Sequence, residues 1–169
     1  MGKAVTMTRR GARFAFDVFF LDQATLQTLP SESHLGATYA DLLRNRVDPA
    51  PFRHIEDPAE REAAIDASRM RRRLRAAVLL FRNEAYHRVA RLEAPSLYSL
   101  QQWTRSRGEP WWAVAGLPGE VVGEPGRSLG TFDIIYEGDQ PYLVMPLGLI
   151  DMRMGTYLTP AGEASAAAG

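Results

Sequence analysis

A glutamate and a histidine stand three residues apart at Glu84 and His87, in a stretch with helical periodicity. On a helix this spacing places both side chains on one face, as in carboxylate-bridged di-metal sites. Such a site needs a second pair of the same kind and two more carboxylates, and the sequence has no second pair. His34 and His54 have no metal-ligating neighbours at a fixed spacing, and the chain has no cysteine. We therefore predict neither a metal site nor thiol chemistry.

Motifs that mark nucleophilic or phosphate-binding sites are also missing from the sequence. The glycines at 119, 123, 126 and 130 match neither the P-loop nor the dinucleotide fingerprint, and no serine lies in a G-x-S-x-G elbow. Turn formation explains these glycines better. We predict no catalytic residue and no cofactor, so an enzyme would need a site built from residues scattered along the chain.

The arginines in the middle of the chain are the strongest candidates for binding a partner. Arg71, Arg75 and Arg82 fall within about 40° of one another on a helix. Such a row is suited to acidic protein surfaces or to nucleic-acid phosphates. The alternatives are a solvated helix face, or pairing with the acidic C-terminal third of the chain. The predicted partner-binding residues of this segment are Arg69, Arg71, Arg72, Arg75 and Arg82.

Two adjacent tryptophans, Trp111 and Trp112, follow a proline and precede three small or branched apolar residues. Neighbouring residues on a helix or a strand point in different directions, so one core direction cannot hold both rings. We predict that one ring lies in the core and that the other is an anchor at a protein interface. Packing of all three tryptophans of the chain, Trp103, Trp111 and Trp112, in the core is the alternative.

Charge is distributed unevenly along the chain, although 20 basic and 20 acidic residues give a net charge of zero. Residues 69–107 have a net charge of +8, residues 108–169 of −6 and residues 1–68 of −2. This separation favours contacts between copies or with a charged partner. A zero total argues against a dedicated nucleic-acid-binding protein, which usually has a basic total.

The length and composition favour one α+β domain over residues 1–160, followed by a small-residue tail at 161–169. We expect a helix-rich part at 22–107 and a β-rich part at 108–160, with an aromatic N-terminal strand at 12–21. The predicted helices cover about 22–29, 33–47, 57–92 and 97–105, with N-caps at Asp22, Ser33, Asp57 and Ser96. A hairpin is predicted at 137–140. The predicted architecture therefore packs central helices with the N-terminal strand and a small C-terminal antiparallel β region.

The stretch from Tyr86 to Pro146 contains four short patterns in a fixed order. They are Leu97-Tyr98-Ser99-Leu100, Gly108-Glu109-Pro110, the run from Trp111 to Ala115, and the run from Tyr142 to Pro146. These patterns resemble the first helix, the turn, the second helix and the closing strand of LysM-like modules in phage baseplate structural proteins. The resemblance implies a strand–helix–helix–strand order and a connecting role, and no binding residue is transferred from it.

We expect a structural or connector subunit of a multiprotein assembly, and the resemblance suggests a phage tail or baseplate. Its expected partners are other protein subunits with acidic surfaces, and a homo-oligomer is the further option. The alternative is a nucleic-acid-associated subunit that uses the basic helix from Arg69 to Arg75. No run of about 18 apolar residues is present to span a membrane. The expected location is the cytoplasm, or a virion or other large particle.

Overall fold

The computed structural model describes residues 13–44, 46–104, 110–113, 118–158 and 164–165. The strands are β1 Phe14–Leu21, β2 Tyr86–Ala94, β3 Gly119–Val121, β4 Ile134–Glu137, β5 Gln140–Met145, β6 Gly148–Asp151, β7 Thr156–Leu158 and β8 Ala164–Ser165. The helices are α1 Gln23–Thr28, α2 His34–Leu43, α3 Pro58–Arg82 and α4 Leu97–Trp103, with 3₁₀ turns at Ala50–Phe52 and Trp111–Ala113. The fold is α+β, as predicted. No helix in these ranges is long and apolar enough to cross a bilayer.

The eight strands of the described residues form one antiparallel sheet, in the order β3-β2-β1-β4-β5-β6-β7-β8. The prediction of a small C-terminal β region is therefore wrong. The sheet is large, and β1 lies inside it between β2 and β4. β2 falls in the range expected to be helix-rich. Residues 164–165, expected to belong to a tail, pair with β7 at the far edge.

Apolar side chains pack against both faces of the sheet, because alternate residues of a strand point in opposite directions. On one face, Phe16, Val18 and Phe20 of β1 pack in a cluster that contains Trp111. On the other face, Leu21 joins a cluster with residues of α2 and α3. Four of the eight residues of β1 are therefore buried, and they contribute to the cores on both faces of the sheet.

The helix starts follow the predicted N-caps. The side chains of Asp22, Ser33, Asp57 and Ser96 each accept a hydrogen bond from a backbone N–H of the helix that follows. These caps satisfy donors that a helix leaves without intrahelical partners. α2 and α4 end earlier than predicted, at Leu43 and Trp103.

The predicted extension of the long helix to Leu92 is wrong, since α3 ends at Arg82. Glu84 adopts a left-handed conformation with φ of 60°. The N–H of Ala85 then donates to the carbonyl of Leu80 at 3.0 Å, and the N–H of Glu84 to that of Phe81 at 3.2 Å. This is the Schellman pattern that usually carries glycine at the left-handed position. Because glutamate and not glycine occupies this position, the sequence contains no signal that the helix ends here.

A β-bulge explains why β2 has helical periodicity in the sequence. Val18 pairs with Ala90 and Phe19 with Arg88, so Val89 is an extra residue without a partner on β1. The extra residue breaks the alternation of buried and exposed positions once. Buried residues consequently recur at Tyr86, Val89 and Leu92, which is also the spacing of a helical stripe.

Candidate functional site

A groove of about 360 Å³ lies between α2 and α3, on the face of the sheet that both helices cover. α2 contributes Thr38 and Asp41 to one wall. The α3 residues that line it are Ser68, Arg71, Arg72, Arg75, Ala76 and Leu79. The structure therefore brings three of the predicted partner-binding arginines together in one concave surface with apolar residues among them.

The arginines of α3 divide between two sides of the helix. Arg71 and Arg75 are exposed, whereas Arg69 lies about 160° away from Arg71 and forms an ion pair with Asp66. Arg73 also points away from the groove, with its guanidinium carbon 5.8 Å from the centre of the Phe132 ring. Burial lowers the pKa of the Arg73 guanidinium. Arg69 therefore does not line the groove.

The guanidinium groups at the groove are largely uncompensated. Within the described parts of the chain, neither Arg71 nor Arg75 has an ion-pair or hydrogen-bond partner. Arg72 donates to the carbonyl of Arg46 over a long 3.4 Å. Asp41, the acid that lines the groove, already pairs with Arg44 at 3.2 Å. The groove is therefore a positive surface suited to carboxylates or phosphates.

Arg82 shares the outward side of α3 with Arg71 and Arg75, and it is exposed in the last turn of the helix. It lies beyond the residues that line the groove. A cation at this end interacts favourably with the helix dipole, which is a structural reason for its presence. Arg82 extends the basic surface along the helix by about two turns from Arg75.

The two adjacent tryptophans differ in burial, and Trp112 is partly buried against the core cluster that contains Trp111. Trp111 is 1% exposed, and its indole N–H donates to the carbonyl of Arg127 at 3.1 Å. The partly exposed Trp112 ring stands perpendicular to it, with 5.7 Å between ring centres. Trp111 is thus the core residue and is not accessible to a partner. The role of Trp112 as an interface anchor stays a prediction.

An ion pair between the half-buried Arg127 and the buried Asp133 was not predicted from the sequence. Asp133 is 0% exposed, and its Oδ1 lies 2.7 Å from Nη2 of Arg127. The guanidinium also stacks on Phe20, with 4.0 Å from its central carbon to the ring centre. An aspartate within the apolar run TFDIIY was the available signal, because a buried charge requires a partner. The pair is structural, since it fixes the loop before β4 against β1.

A second groove, of about 430 Å³, contains His87 and Asp22. The carboxylate of Asp22 accepts a hydrogen bond from the N–H of Thr25 at 3.1 Å and so caps α1. Hydrogen bonds from Thr25, and secondarily the nearby His87, lower the pKa of Asp22. Since this carboxylate is engaged in capping, we assign no catalytic role to the groove.

The Glu84–His87 spacing does not form a helical ligand pair, because Glu84 lies in a turn and His87 in β2. Among the described residues, no group of three potential ligands is placed to hold a metal ion. No protein-family model, curated protein or solved structure matches the chain. The arginine-lined groove between α2 and α3 is therefore the candidate site on geometric grounds alone.

Proposed function

We propose that the chain is a structural or connector subunit of a multiprotein assembly, such as a phage tail or baseplate. In this proposal Arg71, Arg72 and Arg75 bind acidic side chains of a neighbouring subunit. The observation that carries it is the pair of exposed guanidinium groups, on Arg71 and Arg75, that have no partner among the described residues. Three guanidiniums one helical turn or less apart can bind two or three carboxylates at once.

The composition of the groove favours a protein partner. Leu79 is partly exposed among the arginines, so a neighbouring side chain can bury apolar surface against it while its carboxylate pairs with a guanidinium. Interfaces commonly combine an apolar contact with charged groups at its rim, and arginine is enriched in them. A phosphate backbone would use the guanidiniums and leave the apolar surface uncovered.

Acidic residues on the same side of α3 disfavour nucleic acid, which is the alternative partner. Glu60 lies within about 20° of Arg71 around the helix and about 16 Å from it along the axis. Glu60 is exposed, as are Glu56 and Asp57 just before it. A duplex that followed the arginines towards the start of α3 would meet these carboxylates. The zero net charge of the chain removes long-range attraction as well.

The resemblance to LysM-like modules supports a connecting role. β2, α4, the 3₁₀ turn at Trp111–Ala113 and β3 follow one another in the order strand, helix, helical turn, strand. β2 and β3 pair antiparallel. The run from Tyr142 to Pro146, matched above to the closing strand, contributes instead to β5, which pairs with β4 and β6.

A charge-reversal variant tests this function. We expect Arg71→Glu/Arg75→Glu/Arg82→Glu to be absent from the assembly that the tagged wild-type chain enters with fixed stoichiometry. Mass photometry of the purified particle measures that stoichiometry, and far-ultraviolet dichroism must show native helix content. The matched control is Arg13→Glu/Arg53→Glu, which reverses two exposed arginines outside α3. Normal assembly of the α3 variant would refute the proposal.

A further inference from the structure

The outward side of α3 changes its charge along the helix. Near its start this side carries Glu60, and towards its end it carries Arg71, Arg75 and Arg82. All four residues are exposed. They fall within about 60° of one another around the helix axis. α3 is 25 residues long, so the acidic and basic parts of this side are separated by several turns.

The middle of this side is formed by small residues that are partly exposed. Ala64, Ala67 and Ser68 lie between the acidic and the basic part. α2 packs beside them on the groove side, and the sheet lies behind α3. A second helix can therefore approach α3 closely from solvent along this line, at the separation of about 8–10 Å that packed helices adopt.

We propose that this side of α3 binds α3 of a second copy of the chain in an antiparallel arrangement. The two-fold axis passes between Ala67 and Ser68, which places Glu60 of each copy opposite Arg75 of the other. Ala64 then faces Arg71, so each glutamate is also one helical turn from a second arginine. The arrangement forms the same ion pair twice, once on each side of the axis.

Charge complementarity identifies the second copy as the occupant. A helix side that is acidic at one end and basic at the other complements itself only when the partner runs antiparallel. A parallel partner in register would oppose arginine to arginine. A two-fold contact is isologous and closes on itself, which is the commonest symmetry of soluble oligomers. The zero net charge of the chain removes the general repulsion between copies.

This inference rests on the proposed function, because it names Glu60 of a second copy as the acidic group that Arg75 binds. It leaves Arg72 and the inner wall of the groove open to a different subunit. The two ideas therefore make different predictions for Glu60. Only the homodimer requires this residue, whereas both ideas require Arg75.

Cysteine cross-linking tests the position of the axis, because the natural chain contains no cysteine. In an antiparallel pair the two Ala67 positions lie across the axis, close enough for a disulfide. We expect Ala67→Cys to form a covalent dimer under a glutathione redox buffer. Glu62→Cys is the control, because this exposed residue lies on a different side of α3. Equal cross-linking of both variants, or none at Ala67→Cys, would overturn the arrangement.

A charge-swap series measured by light scattering and sedimentation tests the ion pair. Glu60→Arg and Arg75→Glu should each raise the dimer dissociation constant about tenfold, since each turns two attractions into repulsions. The double variant Glu60→Arg/Arg75→Glu should recover most of that loss. A wild-type chain that stays monomeric at its highest soluble concentration would overturn the inference. An unchanged dimer in Glu60→Arg would also overturn it, and would leave the proposed function standing.

Discussion

The carboxylate of Asp133 is held by four donors from three places in the chain. Oδ1 accepts from the N–H of Leu21 at 3.0 Å and from Arg127, while Oδ2 accepts from Arg127 and from the N–H of Gly130 at 2.7 Å. These four hydrogen bonds give each carboxylate oxygen two donors. A buried charge is tolerated only when it is paired and hydrogen-bonded in this way.

We predict that Asp133→Asn lowers the free energy of unfolding by about 2 kcal/mol, because it removes the charge that pairs with Arg127, and solvent reaches Arg127 enough to reduce the loss. Urea denaturation followed by circular dichroism measures the change. Asp139→Asn, at an exposed turn, is the control and should change stability by less than about 0.5 kcal/mol. A loss of less than about 1 kcal/mol in Asp133→Asn would show that the pair contributes no more than an exposed one.

Tyr86 makes the stability sensitive to alkaline pH. Burial, and then the negative charge of Asp133, raise the pKa of Tyr86 above its ordinary value. Its hydroxyl donates to the carbonyl of Phe132 at 2.8 Å. Because the folded state favours the neutral phenol, this contribution is complete below about pH 10 and is lost as the pH rises further.

Tyr86→Phe should therefore flatten the loss of stability above about pH 10, by at most about 1.4 kcal/mol per pH unit. At neutral pH the same variant should cost about 1 kcal/mol for the lost hydrogen bond. Unfolding curves at a series of pH values test both points. Burial also raises the pKa of Tyr136, Tyr142 and Tyr157, so the comparison is with the wild type at each pH. Parallel curves for the two proteins would contradict the assignment.

Single alanine variants should separate the two tryptophans. Trp111→Ala should lower the free energy of unfolding by about 3–5 kcal/mol, since it removes a fully buried ring. Trp112→Ala should weaken assembly by about 2 kcal/mol or more with a smaller loss of stability, if this ring is an interface anchor. Thermal melts and assembly assays on the same samples separate the two effects. Equal losses of stability with unchanged association would place both rings in the core.

At the scale of elements, the junction between α3 and β2 decides the topology. The helix ends because Glu84 takes a left-handed conformation and the last carbonyls find donors in the turn. The chain then enters β2 and pairs with β1 along nearly its whole length. A non-glycine residue in this conformation costs roughly 1–2 kcal/mol, and tertiary packing of both elements offsets that cost.

Glu84→Gly should stabilise the protein by about 0.5–1 kcal/mol, because glycine adopts the left-handed conformation without strain. The greater flexibility of glycine in the unfolded state offsets part of this stabilisation. The melting temperature should rise by about 2 °C. Glu84→Ala keeps a Cβ atom and should show no such rise, which makes it the control. Stabilisation by alanine equal to that by glycine would point to removal of the charge as the cause.

At the scale of the whole molecule, net charge limits which partners the chain attracts over a distance. Basic and acidic residues balance over the chain, and the exposed arginines of α3 form a local basic surface. Non-specific affinity for nucleic acid comes mainly from neutralised phosphates, and three or four arginines supply few such contacts. Salt screens the attraction of such a small basic surface beyond about 8 Å, so the surface attracts a docked partner much more strongly than a distant one.

We therefore predict that the isolated chain binds duplex DNA with a dissociation constant above the micromolar range at about 150 mM salt. Fluorescence anisotropy with a labelled duplex of random sequence measures it. Arg71→Glu/Arg75→Glu/Arg82→Glu provides the comparison, and it should differ little from the wild type under these conditions. Submicromolar binding that this variant loses would favour the nucleic-acid-associated subunit instead.

Features that depend on a few neighbouring residues could be predicted from the sequence. The caps at Asp22, Ser33 and Asp57 and the hairpin around Gly138 were predicted correctly. In each case a side chain or a glycine satisfies the backbone within four residues, so no distant partner is needed. The shared outward side of Arg71 and Arg75 followed from helical periodicity in the same way.

Which distant segments become neighbours is visible in the three-dimensional fold and not in any local sequence pattern. β2 is a strand because β1, some seventy residues earlier, pairs with every residue of it except Val89. The bulge at Val89 interrupts the alternation of buried and exposed residues that would have predicted a strand. Asp133 is buried because Arg127 and the end of β1 meet there. Arg69 and Arg71 differ in exposure because the sheet lies behind one side of α3 only. Long-range pairing and burial set these outcomes, and neither can be read from a local pattern.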